Sequence, residues 1–159
     1  MAKSAVKFKD TVSEYERLAR EIRSRKFAPV YLLMGEESYF IDSLADLLAA
    51  TVLDEAARAF NQITVYGRDT EAGQVVNLCR QMPMMGSYQV VILKEAQQLR
   101  GIERLSLYTQ KPSPTTILVI CHKDIFVYFL VYSQLFKCLF PQAPACKAVS
   151  YTHLRAHET

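Results

Sequence analysis

The chain predicts an α/β fold, a three-layer sandwich around a mainly parallel sheet, on two observations. Four short apolar runs occupy 30–34, 63–66, 90–93 and 116–120, and stretches with helical periodicity lie between them. Uninterrupted apolar runs suit strands covered on both faces, and strands alternating with helices suit a parallel sheet with helical layers on either side.

The elements follow in order. Thr11 and Glu14 have capping-box spacing, and Val12, Tyr15, Leu18, Ala19 and Ile22 recur at helical intervals, so a helix is expected over about 12–24. Pro29 ends that segment, and Val30, Tyr31, Leu32, Leu33 and Met34 form the first strand, closed by Gly35. The next helix presents Phe40, Ile41, Leu44, Leu47, Leu48 and Val52 on its apolar face. A second strand at 63–66 is closed by Gly67, after which Asp69 and Thr70 are positioned to cap a helix with Ala72, Val75, Val76, Cys79 and Met82 inside. Between the third and fourth strands, Leu99, Ile102, Leu105 and Tyr108 mark one further helix.

Composition narrows the function classes. Of 159 residues, 50% are hydrophobic and 22% charged, as in an ordinary globular protein. The net charge is +3, and Lys137, Lys147 and Arg155 against Glu158 account for most of it, leaving 16 basic and 15 acidic residues in 1–124. Such balance gives no argument for strong autonomous nucleic-acid binding. Cys79, Cys121, Cys138 and Cys146 lack metal-knuckle or redox spacing, and no apolar signal region opens the chain, so a cytoplasmic protein with reduced thiols is expected.

Residues 125–159 read differently from the rest. The stretch 125–140 carries one charge, is shorter than the roughly 20 apolar residues of a membrane-spanning helix, and shows neither a helical nor a strand period. The string 149–159 resembles the translation of a sequencing-library adapter. The expectation is therefore a domain over 1–124 and a non-native tail over 125–159, arising from a frame error or misjoin; no function is read from His153 or His157. The alternative is a genuine amphiphilic tail.

A strand, Gly35 and a following helix form the setting of a phosphate-binding loop, Gly-x-x-x-x-Gly-Lys-Ser/Thr, whose amides wrap phosphate and whose lysine neutralises it. After Gly35 the chain reads Glu36, Glu37, Ser38, Tyr39, Phe40, Ile41, Asp42. Phe40 stands for the second glycine, Ile41 for the lysine and Asp42 for the magnesium-binding hydroxyl. Glu36 and Glu37 set two carboxylates at a helix N-terminus, satisfying it and repelling an anion. After the third strand, Lys94 and Glu95 occupy the place of the acidic pair that would hold magnesium. Both halves of the site lack their chemistry, so no nucleotide cofactor is expected.

The phrase Ala-Pro-Val-Tyr-Leu-Leu-Met-Gly-Glu-Glu-Ser-Tyr-Phe-Ile at 28–41 resembles the opening of the delta subunits of bacterial DNA polymerase III clamp loaders. The segment 60–66, the run 79–91 and Lys94, Glu95 and Ala96 extend the likeness through most of 8–124. The resemblance implies a P-loop-NTPase-like (AAA+) fold with degenerate nucleotide motifs, and a non-catalytic component of the DNA polymerase III holoenzyme. It implies as partners the sliding clamp (beta subunit), the gamma/tau and delta-prime subunits, and DNA through the complex. Two adjacent apolar residues in that family's loop before the third strand plug a pocket on the clamp; the matching positions are Met84 and Met85, with Gln81, Pro83, Gly86 and Tyr88 as neighbours. Without the resemblance, the methionines read first as core fillers.

Competing sites are weaker. Cys121 and His122 lack an identifiable orienting acid, and a buried cysteine is usually a small hydrophobe. Nine tyrosines and eight phenylalanines do not interleave with a basic patch. Arg80, Arg100 and Arg104 fit solvated helix faces as well as an acidic partner. The alternative function is a divergent nucleotide-binding hydrolase that draws its lysine and acid from elsewhere in the chain.

Overall fold

The computed structural model describes residues 8–35, 37–123 and 146–151. Helix α1 (Phe8–Arg23) buries Leu18, Ala19 and Ile22 and turns Glu14, Arg17 and Glu21 outward, where Arg17 pairs with both glutamates. Strand β1 (Val30–Gly35) follows, then α2 (Ser38–Val52), α3 (Glu55–Asn61) and β2 (Gln62–Tyr66). Helix α4 (Ala72–Cys79) leads to β3 (Gln89–Lys94), and α5 (Leu105–Gln110) leads to β4 (Thr116–His122). The last described strand is β5 (Cys146–Tyr151).

The sheet order is β2-β3-β4-β1-β5, and every pairing is parallel. Register sets Val30 of β1 beside Leu118 of β4, and Val91 of β3 beside the same residue. Alternation along each strand then divides the apolar side chains between two layers. Tyr31, Leu33, Val90, Ile92, Ile117, Val119 and Cys121 pack with α1 and α2 on one face. Val30, Leu32, Val91, Leu93, Leu118 and Ile120 pack with α4 and α5 on the other. The three-layer expectation is met. Strand β2, which ends the sheet order among the described residues, is half-exposed.

Several local expectations are corrected. Asp69 and Thr70 do not cap α4: residues Gly67–Asp69 form a single 3-10 turn, and Glu71 takes the N-cap position. The Thr70 hydroxyl instead bonds the Gln74 side chain at 2.8 Å. Helix α4 stops at Cys79, so Met82 is exposed rather than inside. Pro83 disfavours helical geometry at Met82, and the Gln89 carboxamide takes up the Leu78 and Gln81 carbonyls left where the helix ends. The single helix expected through Leu99 and Tyr108 is two 3-10 turns followed by α5, because Gly101 sits at φ 69° and interrupts it.

Helix α3 had no counterpart in the sequence reading. Asp54 caps it by accepting a hydrogen bond from the Ala57 amide at 2.7 Å, and it runs without a loop into β2. The sequence reading left 125–159 out of the fold. Within that span, Cys146–Tyr151 pairs with β1 from Val30 opposite Cys146 to Gly35 opposite Tyr151 and supplies partners to that backbone edge. His153 and His157 lie outside the described residues.

Candidate functional site

Two places gather the residues of interest. The first is the loop joining α4 to β3, which carries Gln81, Met82, Pro83, Met84, Met85, Gly86, Ser87 and Tyr88. Met84 and Met85 are 76% and 52% exposed, and Met82 is 73% exposed. They do not fill the core, so that reading of the methionines is set aside.

The loop is tied down at its base and again at Met84 and Met85. At the base, the Gln89 side-chain nitrogen faces the Leu78 and Gln81 carbonyls at 2.9 Å each and the Thr116 hydroxyl at 2.8 Å, and that hydroxyl donates to the Cys79 carbonyl at 2.7 Å. Further along, the Asn61 side-chain oxygen accepts from the Met84 amide at 2.9 Å, while its nitrogen donates to the Met85 carbonyl. Gly86 turns the chain at φ 80°, where its missing Cβ would meet nothing within 4 Å, so the backbone angle and not crowding calls for glycine. Tyr88 is half-buried and edge-on to Phe27, with ring centroids 6.3 Å apart, so it anchors the loop's return to the sheet. Pro83 is half-buried and the Gln81 side chain exposed.

The second place is the edge formed by the carboxyl ends of β1, β3 and β4, where open α/β sheets bind ligands. It brings together Gly35, Lys94 and Glu95, Lys123 just past the end of β4, and the first turns of α2. Glu36 lies outside the described residues. Glu37 is the N-cap of α2 but makes no side-chain capping hydrogen bond, so its part in satisfying the helix end is corrected to charge alone. The Phe40 ring lies tilted against Tyr15 of α1 and edge-on to Tyr39, with centroids 5.2 and 5.6 Å apart, and Ile41 of α2 is fully buried in the core with residues of α1 and the sheet. Asp42 accepts a hydrogen bond from the Lys123 ammonium at 2.9 Å. The cationic partner of this carboxylate therefore comes from the end of β4. Sequence reading did not single out Lys123, which is 81 residues from Asp42 along the chain.

Cys121 and His122 are buried, and burial pushes the Cys121 thiol up to about 12, with Asp42 raising it further and Lys94 and Lys123 opposing. Burial likewise pushes Cys79 up to about 12. Both thiols stay protonated at neutral pH, which removes the thiolate a nucleophile requires. Tyr31 and Tyr108 are raised in the same direction by burial. Unfolded thiols ionise from about 9 while folded ones do not until about 12, so this stability is full below pH 9 and falls as pH rises toward 12. The urea midpoint under reducing conditions is expected to be lower at about pH 10.5 than at about pH 8, and an unchanged midpoint would contradict the assignment. Among the described residues there is no group of three or more potential metal ligands, and no helix is long and apolar enough to cross a membrane. Arg80, Arg100 and Arg104 are exposed.

Comparison with known proteins places the chain. The family described as DNA polymerase III, delta subunit, matches residues 31–126. The DNA polymerase III subunit delta of Bacillus subtilis is 25% identical over 111 residues, covering 64% of this chain and 32% of that protein. The solved Bacillus subtilis DNA clamp loader delta protein superimposes with a TM-score of 0.74 at 19% identity, over 89% of this chain and 43% of the other. A DNA polymerase III gamma subunit-related protein from Thermotoga maritima gives a TM-score of 0.58 at 12% identity, over 86% and 45%. These solved structures support the AAA+-like fold. The chain spans about a third of the length of its curated relative. With 31–126 covering more than half of its residues, the chain belongs to the family of DNA polymerase III delta subunits.

Proposed function

We propose that this chain binds a ring-shaped sliding clamp and helps to open it as the delta-type part of a clamp loader, without hydrolysing ATP itself. The observation that carries the reading is the adjacent, exposed pair Met84 and Met85 on a loop braced by Asn61 and Gln89. Methionine is flexible and polarizable and fits irregular pockets, and a braced loop loses little entropy on docking. The nucleotide edge supports the second half of the proposal. Ile41 is buried where a phosphate-neutralising lysine would stand, and Asp42 already faces the Lys123 ammonium.

On this reading the gamma/tau and delta-prime subunits are neighbours in the complex, DNA is reached through it, and the setting is the cytoplasm. Met84 and Met85 act as the plug, with Gln81, Pro83, Gly86 and Tyr88 shaping its surroundings.

Two assays on the full chain separate this reading from a nucleotide hydrolase. The chain is expected to be retained by immobilised clamp from the same organism, with or without MgATP. Its melting temperature is expected to be insensitive to MgATP, whereas a nucleotide at 100 times its Kd would add about 2.7 kcal/mol. Melting raised by about 5 °C or more with MgATP, together with no retention on the clamp, would overturn the proposal.

A further inference from the structure

We propose that Asn61 is a positioning residue for clamp binding, holding the methionine loop in its docking shape. The inference rests on the functional reading above and adds a residue that contacts no partner. Asn61 is the last residue of α3, is 1% exposed, and lies 23 and 24 residues from the two loop positions it holds. Its carboxamide accepts from the Met84 amide and donates to the Met85 carbonyl. It therefore engages backbone groups of the very residues whose side chains face solvent, and leaves those side chains free.

The anchor is rigid for a local reason. Asp54 caps α3 at its start, and Gln62 begins β2 directly after Asn61, so no flexible linker separates the carboxamide from the sheet. A donor and an acceptor on one short side chain are both needed here. Aspartate could still accept from the Met84 amide but would turn a carboxylate oxygen toward the Met85 carbonyl oxygen. Alanine would lose both bonds. A loop released in this way samples conformers that do not dock, and apparent affinity falls in proportion to the docking-competent fraction.

The test uses the full chain with Asn61→Ala and Asn61→Asp, each checked by circular dichroism and urea melting; the near-isosteric Asn61→Asp serves if Asn61→Ala does not fold. Hydrogen exchange at the Met84 amide and the Kd for immobilised clamp are then measured. In Asn61→Ala, Met84 exchange is expected to accelerate and Kd to rise about tenfold, as when the competent fraction falls to about a tenth. In Asn61→Asp, Met84 keeps most of its protection while Kd still rises, because the Met85 bond is lost. A folded Asn61→Ala with unchanged Kd overturns the inference, as does a Kd loss in Asn61→Ala with Met84 exchange unaltered. If the unsubstituted chain does not bind clamp at all, the functional reading fails. If it binds and loses binding on Met84→Ala/Met85→Ala but not on Asn61→Ala, only the Asn61 inference fails.

Discussion

Replacing Met84 and Met85 together by alanine is expected to raise the Kd for the sliding clamp by about 100-fold or more while leaving the chain folded. Each methionine buried in a partner pocket is worth about 1.5–3 kcal/mol, and alanine keeps only part of it. Losing about 3 kcal/mol over the pair corresponds to about 100-fold in affinity. Both side chains are exposed in the free chain, so their removal creates no cavity and the urea midpoint should barely move. The loop's backbone contacts run to the Met84 amide and the Met85 carbonyl, which alanine retains. Binding by surface resonance, paired with urea melting, reads both quantities. A folded double variant that binds within about threefold of the parent would remove these residues from the interface.

Ile41→Lys is expected to lower stability by at least about 2 kcal/mol and to confer no ATP binding. This substitution restores the lysine of the phosphate motif at its position after Gly35. Yet Ile41 is fully buried among α1, α2 and the sheet, so the ammonium would enter an apolar layer. The aromatic contact between Tyr15 of α1 and Phe40 would also still occupy this turn of α2. Urea denaturation with and without MgATP measures both effects. A variant as stable as the parent whose midpoint rises with MgATP would mean that the edge retains a usable nucleotide cradle.

The layers of the fold were legible because burial on a sheet leaves an unbroken apolar run, and β1, β3 and β4 each carry one. Helix α3 was not legible, since its buried residues are only Ala57 and Asn61 and no apolar stripe forms. Its Asp54 cap was the available signal. Met82 was misread because helical spacing carries on past the point where the helix stops, and the stop depends on Gln89, which reaches back across the loop. The methionine pair was singled out through family likeness alone, since the residue type by itself favoured a core role, which its exposure excludes. What braces it was out of reach: Asn61 meets Met84 and Met85 only once β2 and β3 are paired, and Lys123 meets Asp42 only once β4 lies beside β1. Polar contacts between distant segments leave no period in a sequence.

The most direct measurement is a calorimetric titration of the full chain with the sliding clamp of its own organism, after circular dichroism has shown the chain folded. The account predicts saturable binding with a Kd of tens of micromolar or tighter, about −6 kcal/mol or better. A folded chain that gives no binding signal with clamp at those concentrations would contradict it.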